Sequence, residues 1–250
     1  MSKVTLLGVP IDSVLMQEAL ERIERLIEAR WPSYVVTPNV DVLVKLQTDA
    51  EFRRIYDDAS LVVADGMFLI WAAKFLGMPL KEKVSGSDLF VEFCELAARK
   101  GYKIYLLGAM PGVAPKAAAI LMKRYAGLNI VGTYSPPFGF EEDEAECERI
   151  VRMIRDAAPD VLFIGLGSPK QEKWLVRHKH RYGTPVSIGV GISFDYVAGT
   201  VKRAPRWMQN AGFEWFWRLL MEPKRLWRRY LVEDLVFFWL VAKQKMQKDR

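Results

Sequence analysis

The first residues in this chain whose types and spacing suggest chemistry lie where apolar runs end. Ala64-Asp65-Gly66 places a lone carboxylate directly after such a run and before a glycine. Ligands of open parallel α/β sheets bind beyond the carboxyl ends of the strands, so Asp65 stands where a general base could take a hydroxyl proton. Its competing role is the N-cap of a helix over 67–76. Thr37 and Asn39 flank Pro38 and either cap the next helix or hydrogen-bond a ligand. Gly165-Leu166-Gly167-Ser168-Pro169-Lys170-Gln171-Glu172 is a Gly-rich turn into a helix. Its exposed amides, with Lys170, suit a phosphate. It matches neither dinucleotide nor Walker spacing, and a tight strand-to-helix turn explains it as well. Asp195 either accepts hydrogen bonds from a ribose or base or caps a turn before Gly199. Gly108-Ala109 ends another apolar run at the same predicted rim.

Other chemistries lack their residues. There is no D-x-D pair of the kind many nucleotide-sugar enzymes use to hold a divalent metal, and no G-x-S-x-G elbow. His178 and His180 stand two apart without acids or cysteines at ligand spacing, so they read as surface residues and no metal is expected. Cys94 and Cys147 fall in helical patterns, which excludes a disulfide framework and suits a reducing cytosol.

These residues need a scaffold that brings strand ends together. Short, almost wholly apolar runs at 4–9, 34–37, 61–64, 103–107, 129–133, 161–165 and 186–190 read as parallel strands covered on both faces. Amphipathic stretches lie between them. Met16, Leu20, Ile23 and Ile27 form one apolar stripe behind a possible N-cap at Ser13, and Leu89, Phe90, Phe93, Cys94 and Ala97 form another that stops at Gly101. The alternation predicts a Rossmann-like, doubly wound, mostly parallel α/β sheet over about 1–195, within a catalytic domain of 1–200. A helical appendage of 201–250 follows, with helices near 206–211, 213–221 and 224–245 and Pro223 in the first turn of the last.

Charge sets that appendage apart. The 250 residues carry 36 Lys and Arg against 30 acids, yet 202–250 alone holds twelve against five. Five of the eight tryptophans are there too. Clustered Arg beside Trp and Phe suits a packing helix with a solvated face, an in-plane membrane anchor or a clamp for an anionic ligand. No charge-free run reaches the roughly 18 residues of a membrane span, and the N-terminus is too short for a secretory signal.

Taken in order, the strings resemble the WecG/TagA/CpsF family of glycosyltransferases over essentially the whole chain. They are Thr37-Pro38-Asn39, Ala64-Asp65-Gly66, Val84-x-Gly86-x-Asp88-Leu89, the 165–172 turn and Phe194-Asp195-x-x-Ala198-Gly199. The tail adds Val201-Lys202-Arg203-Ala204-Pro205-x-Trp207-Met208, Glu214-Trp215-x-x-Arg218-Leu219, Glu222-Pro223-x-Arg225-Leu226 and Arg228-Arg229-Tyr230. The resemblance implies an inverting, metal-independent transferase that moves a sugar from a UDP-sugar donor to a polyprenyl-diphosphate-linked sugar. The best-described family activity transfers N-acetylmannosamine to undecaprenyl-diphosphate-linked N-acetylglucosamine, in a β-1,4 linkage, for wall teichoic acid. Relatives move its uronic acid, glucose or other hexoses for surface polysaccharides.

Carried over by position, the resemblance makes Asp65 the catalytic base. Thr37, Asn39, Lys83, Gly108, Gly167, Lys170, Gln171 and Asp195 become substrate-binding residues, and Arg218, Arg225 and Arg228 a lid over the diphosphate. Lys83 stands where relatives often have Arg, which keeps the charge and loses the two-pronged fork. No cofactor is implied. The implied location is cytoplasmic, at the inner face of an anionic membrane, and exposed apolar tail surface would favour homo-oligomers. The competing classes are a nucleotide-dependent oxidoreductase, for which the first run lacks the Gly-rich turn, and a non-catalytic membrane-associated module. A nucleic-acid partner is not expected, because the basic residues accompany bulky apolar ones and no recognition motif is present.

Overall fold

The alternation of apolar runs and amphipathic stretches folds, in a computed structural model that describes residues 2–248, into a parallel sheet with a helical layer on each face. Asp249 and Arg250, counted in the tail's charge, lie outside the described residues. The chain opens with β1 (Lys3–Leu6), β2 (Val9–Asp12), α1 (Met16–Glu28) and β3 (Ser33–Val36). Next come α2 (Val40–Lys45), α3 (Ala50–Asp57), β4 (Leu61–Val62), α4 (Met67–Phe75) and α5 (Gly86–Lys100). Then β5 (Lys103–Gly108), α6 (Val113–Arg124), β6 (Asn129–Tyr134), α7 (Glu144–Ala157), β7 (Val161–Gly165), α8 (Lys170–Tyr182) and β8 (Val186–Gly189) complete the sheet. After α9 (Ser193–Ala198), the tail holds α10 (Arg206–Asn210), α11 (Glu214–Met221), α12 (Pro223–Arg228) and α13 (Leu235–Lys248).

The sheet order is β4-β3-β8-β7-β5-β6 and every pairing is parallel. Buried side chains of α1, α5, α6 and α9 cover one face, and those of α2, α3, α4, α7 and α8 cover the other. That two-sided cover is why the strands are near-continuous apolar runs. From β5 the chain leaves outward to β6, and from neighbouring β7 it leaves the other way, to β8. The loops therefore part above β5 and β7, which opens a crevice at the carboxyl ends.

The run at 4–9 is not a strand of this sheet. It turns back on itself at Leu7 and Gly8, both with positive φ (50° and 77°), the geometry of a tight two-residue hairpin turn. Val4 then pairs with Ile11 and Leu6 with Val9, and all four are buried. The hairpin lies beside edge strand β4, where Asp12 Oδ2 accepts from the Val62 amide at 2.9 Å. Ser13 is not the cap of α1. Instead the Leu15 amide donates to Glu18 Oε2 at 2.8 Å, and Ser13 Oγ accepts from the Lys81 amide. His178 is not a surface residue: it is fully buried in α8, its ring centroid 4.9 Å from that of Trp174, while Arg181 donates to its Nδ1. His180 is exposed.

The predicted helix over 224–245 is interrupted. A π-helical turn, Arg229–Glu233, separates α12 from α13, with the Asp234 amide bonded to the Arg229 carbonyl at 2.7 Å. Pro223 does open α12. The tail packs back on the sheet domain, because α13 buries Phe237 and Val241 in the same cluster as α2, α3 and α4. Gln244 ties it to the hairpin by accepting from the Leu7 amide and donating to the Thr5 carbonyl. Phe237→Ala should therefore lower unfolding free energy by about 3–5 kcal/mol, the usual cost of emptying a buried phenylalanine site. Thermal and denaturant melts would read that loss.

Candidate active site

Beyond the carboxyl ends of the strands lies a cavity of about 1160 Å³, floored by the strand-end loops and walled on its far side by the tail helices. The crevice above β5 and β7 depends on two glycines. A Cβ on Gly108 would overlap the Gly165 carbonyl, so the two strand ends approach as no other residue would allow. Gly108 does not line the cavity; it supports the wall that Ala109 and Gly165 present. A second hollow of about 680 Å³ lies between α3 and α8. Its lysines are already paired, Lys173 with Asp49 and Glu51, and Lys170 with Glu141.

Asp65 stands on the floor of the larger cavity, three residues beyond the end of β4. It does not cap α4: the cap position is Gly66, whose φ of 119° requires glycine. The Asp65 amide is held by the Pro38 carbonyl at 2.9 Å, and its Oδ2 accepts from the Gly86 amide at 3.3 Å. Burial pushes its carboxyl up to about 6, and the Glu214 carboxylate adds to the rise. The Gly86 N–H, Lys83 and Arg203 offset part of it. A part-buried carboxylate with a raised proton affinity, facing a cavity, is suited to general-base work.

The other strand-end residues brace one another. Thr37 Oγ1 donates to the Gly189 carbonyl at 3.2 Å, and Asn39 caps α2 by accepting from the Val42 amide, so both line the cavity while committed to backbone. Gln171 is buried; its Nε2 donates to Glu172 Oε1 at 2.8 Å and its Oε1 accepts from the Gly191 amide. Burial raises the Glu172 carboxyl above its usual range, although the hydrogen bond from Gln171 works against that. Gly167 lines the cavity with φ 79°. Lys170 pairs with Glu141 and lies over the Phe138 ring, so it is already committed at the cavity edge. Asp195 Oδ1 accepts from Thr200 at 3.0 Å, a turn-stitching contact that leaves it in the lining.

The tail supplies what the strand ends lack. Arg203 grips Asp88 with both prongs, at 2.6 and 3.0 Å, and reaches Glu214 at 3.2 Å. Burial alone would raise Asp88, but bonds from Arg203 and Ser85 outweigh it and hold Asp88 below the usual range. Lys83 Nζ lies 4.0 Å from Asp88. Arg218 and Arg225 line the cavity; the Arg218 Nε has no partner among the described residues, while Arg225 pairs with Glu222. Arg228 does not reach it, being exposed and paired with Glu233 at 3.3 Å. Its neighbour Arg229 lines the cavity instead, 3.6 Å from Asp41 and 3.5 Å from Asn39 Oδ1.

Arg203, Glu214, Asp88, Arg229 and Asp234 were not singled out as site residues in the sequence. Arg203, Asp88, Glu214 and Arg229 stood in recognised strings, but a contact such as Arg203–Asp88, across 115 positions, leaves no spacing signal. Among the described residues, no group of three or more His, Cys, Asp or Glu could hold a metal ion.

The profile of the Glycosyl transferase WecG/TagA/CpsF family matches residues 4–250. Relatives from Staphylococcus aureus strains MW2, NCTC 8325 and MRSA252 are each 30% identical over 251 residues, covering 100% of this chain and 96% of theirs. All three are named N-acetylglucosaminyldiphosphoundecaprenol N-acetyl-beta-D-mannosaminyltransferase. On a match of this length, the chain belongs to the WecG/TagA/CpsF family of glycosyl transferases.

Proposed function

We propose that this protein transfers N-acetylmannosamine from UDP to N-acetylglucosamine carried on undecaprenyl diphosphate, with inversion at the anomeric carbon. The observation that carries the reading is Asp65, a carboxylate of raised proton affinity at the floor of a cavity whose opposite wall bears arginines. Asp65 takes the acceptor hydroxyl's proton as that oxygen attacks the anomeric carbon on the face away from UDP. The UDP leaving group gains negative charge in the transition state, so it needs fixed positive groups nearby. Arg218, with its unpartnered Nε, is the best placed of these, and Arg225 and Lys83 line the same space. On this reading the side chains carry the compensation and the reaction needs no divalent ion.

The acceptor's lipid gives the tail a second task. No helix among the described residues is long and apolar enough to cross a membrane. Yet Trp207, Trp227 and Trp239 are 67%, 52% and 61% exposed, beside Arg206, Arg228 and Lys243. Exposed indoles flanked by cations suit the interface of an anionic bilayer. The protein thus meets its acceptor at the inner membrane surface, with the cavity mouth near the lipid.

Incubating the protein with UDP-N-acetylmannosamine and a synthetic lipid-diphosphate-N-acetylglucosamine should yield the β-1,4 disaccharide, with EDTA having no effect; failure to form it with any UDP-hexosamine would refute the reading. Asp65→Asn should lower turnover by a factor of about 10² to 10⁴. Because the base must be deprotonated, wild-type kcat/KM should fall as pH drops through about 6.

The same shift has a stability sign. A carboxyl raised from 3.8 to about 6 by folding favours the native state when protonated, so its ionisation costs stability above that window. Asp65→Asn should melt higher than wild type at pH 7.5, by the equivalent of about 2–3 kcal/mol at most, and the gap should close between pH 6 and 4. A lower melting temperature for the variant at pH 7.5 would mean that Asp65 is structural.

Binding to vesicles containing anionic lipid should exceed binding to neutral ones and weaken with salt. Trp239→Ala should reduce it about tenfold, the worth of one buried indole. Equal binding by wild type and variant in flotation assays would remove this face from the membrane contact.

A further inference from the structure

Gln171 and Glu172 are successive polar residues in the first turn of α8, yet both are buried and both line the cavity. Neighbours on a helix diverge by about 100°, so helix geometry alone does not bring their side chains together. Here Gln171 Nε2 nevertheless donates to Glu172 Oε1 at 2.8 Å. The other end of the amide meets a second group: the Gly191 N–H, beyond β8, donates to Gln171 Oε1 at 3.2 Å. Gly189, at the end of β8, closes a third side, since a Cβ there would stand 2.8 Å from Nε2 and 3.2 Å from Cδ of Gln171. A flipped amide would set its NH2 against the Gly191 N–H and its oxygen against the Glu172 carboxylate, so one orientation remains. Beyond these bonds, Nε2 keeps one N–H and Oε1 one lone pair at the cavity wall.

We propose that Glu172 and Gly189 are positioning residues for the transfer reaction: they hold the Gln171 amide in a single orientation, with its remaining N–H and lone pair presented to substrate. The inference rests on the reading of this cavity as the transfer site, with Gln171 in contact with substrate. Glu172 spends Oε1 on Gln171 and its Oε2 is buried, so it acts through its neighbour. The task needs an accepting oxygen rather than a charge, because a carboxyl protonated on Oε2 still accepts at Oε1. Gly189 acts through its size. It lets the amide lie against the end of β8, where a side chain would push it out of place. Substrate then meets a side chain that is already ordered, and less freedom is lost on binding.

The test is a double-mutant cycle on kcat/KM for transfer from UDP-N-acetylmannosamine to the lipid-linked acceptor, on the full chain, with thermal melts to establish folding. Gln171→Ala should lower kcat/KM about tenfold or more. Glu172→Met, which keeps the bulk and loses the acceptor, should lower it about 3- to 10-fold. In the Gln171→Ala background the same change should cost less than about twofold, because the amide it positions is gone. Glu172→Gln keeps an accepting oxygen and should recover most of the loss; a fall as deep as that of Glu172→Met would overturn the accepting role. Gly189→Ala keeps every polar group, requires no positive φ, and has its nearest contacts all on the Gln171 side chain. It should show the same dependence on Gln171, and it stands in if Glu172→Met does not fold. Equal losses with and without Gln171, in folded Glu172→Met or Gly189→Ala, would overturn the proposal alone. An unchanged kcat/KM in Gln171→Ala would overturn it by removing Gln171 from the substrate. Absence of product from the wild type with every UDP-hexosamine would instead overturn the transfer reading on which the proposal rests.

Discussion

Two acids and the cation that reconciles them govern the geometry of this site. Asp65 and Glu214 line the same part-buried cavity, where burial first and the Glu214 carboxylate second raise the proton affinity of Asp65. Arg203 is the counterweight: it spends two nitrogens on Asp88 and a third on Glu214, and its charge still reaches Asp65. Without that guanidinium Glu214 would lose its ion pair and α11 its polar tie to α5. A part-buried cation thus ties the start of α11 to α5 with a direction that apolar packing alone specifies only loosely. Rings add area but less direction: Phe68, directly after the base loop, lies 5.6 Å from Phe238 and 6.3 Å from Trp215.

The strand-end loops converge because of the switch above β5 and β7, and that switch needs Gly108 and Gly165. The glycines contribute no chemistry. They let two backbones approach closely enough for Ala109, Gly165 and Gly167 to share one wall with the Gln171 turn. Gln171 in turn lies under Gly189, where a Cβ would come within 2.8 Å of its Nε2. The small residues and the buried amide therefore act together, and each fixes where the other's backbone can run.

Local chemistry in the sequence revealed much of this. Apolar runs with β-branched residues marked six true strands, and residues at their carboxyl ends marked the cavity floor, including Asp65, Thr37 and Gln171. The reading of 4–9 failed because hydrophobic continuity hid a turn. Leu7 adopts positive φ without being a usual turn residue, and only Gly8 hinted at it. The Arg203 clamp was illegible for a different reason: Asp88, Arg203 and Glu214 meet through tertiary packing, which local periodicity does not encode. Burial was misread at His178 because one face of α8 is apolar only through Trp174, Leu175 and Tyr182, while the helix as a whole is densely charged.

The π-helical turn helps set which tail residues face the cavity. In a regular helix residues four apart share a face, so Arg225 and Arg229 align, while Arg228 projects to the side and exits toward Glu233. Residues five apart would diverge by about 140° in an α-helix. Here the bond from the Asp234 amide to the Arg229 carbonyl closes the turn at i to i+5, which stacks Asp234 over Arg229. The widened turn therefore delivers an acid to the cavity that regular winding would point away. Burial pushes the Asp234 carboxyl up to about 6 and Arg229 opposes that rise, so the pair is costly unless it holds something in place. Arg229 also reaches Asp41 and Asn39 on the base of α2, so the turn fastens the second end of the lid as Arg203 fastens the first. In the same cavity wall stands Arg218, whose buried Nε has no hydrogen-bond partner among the described residues.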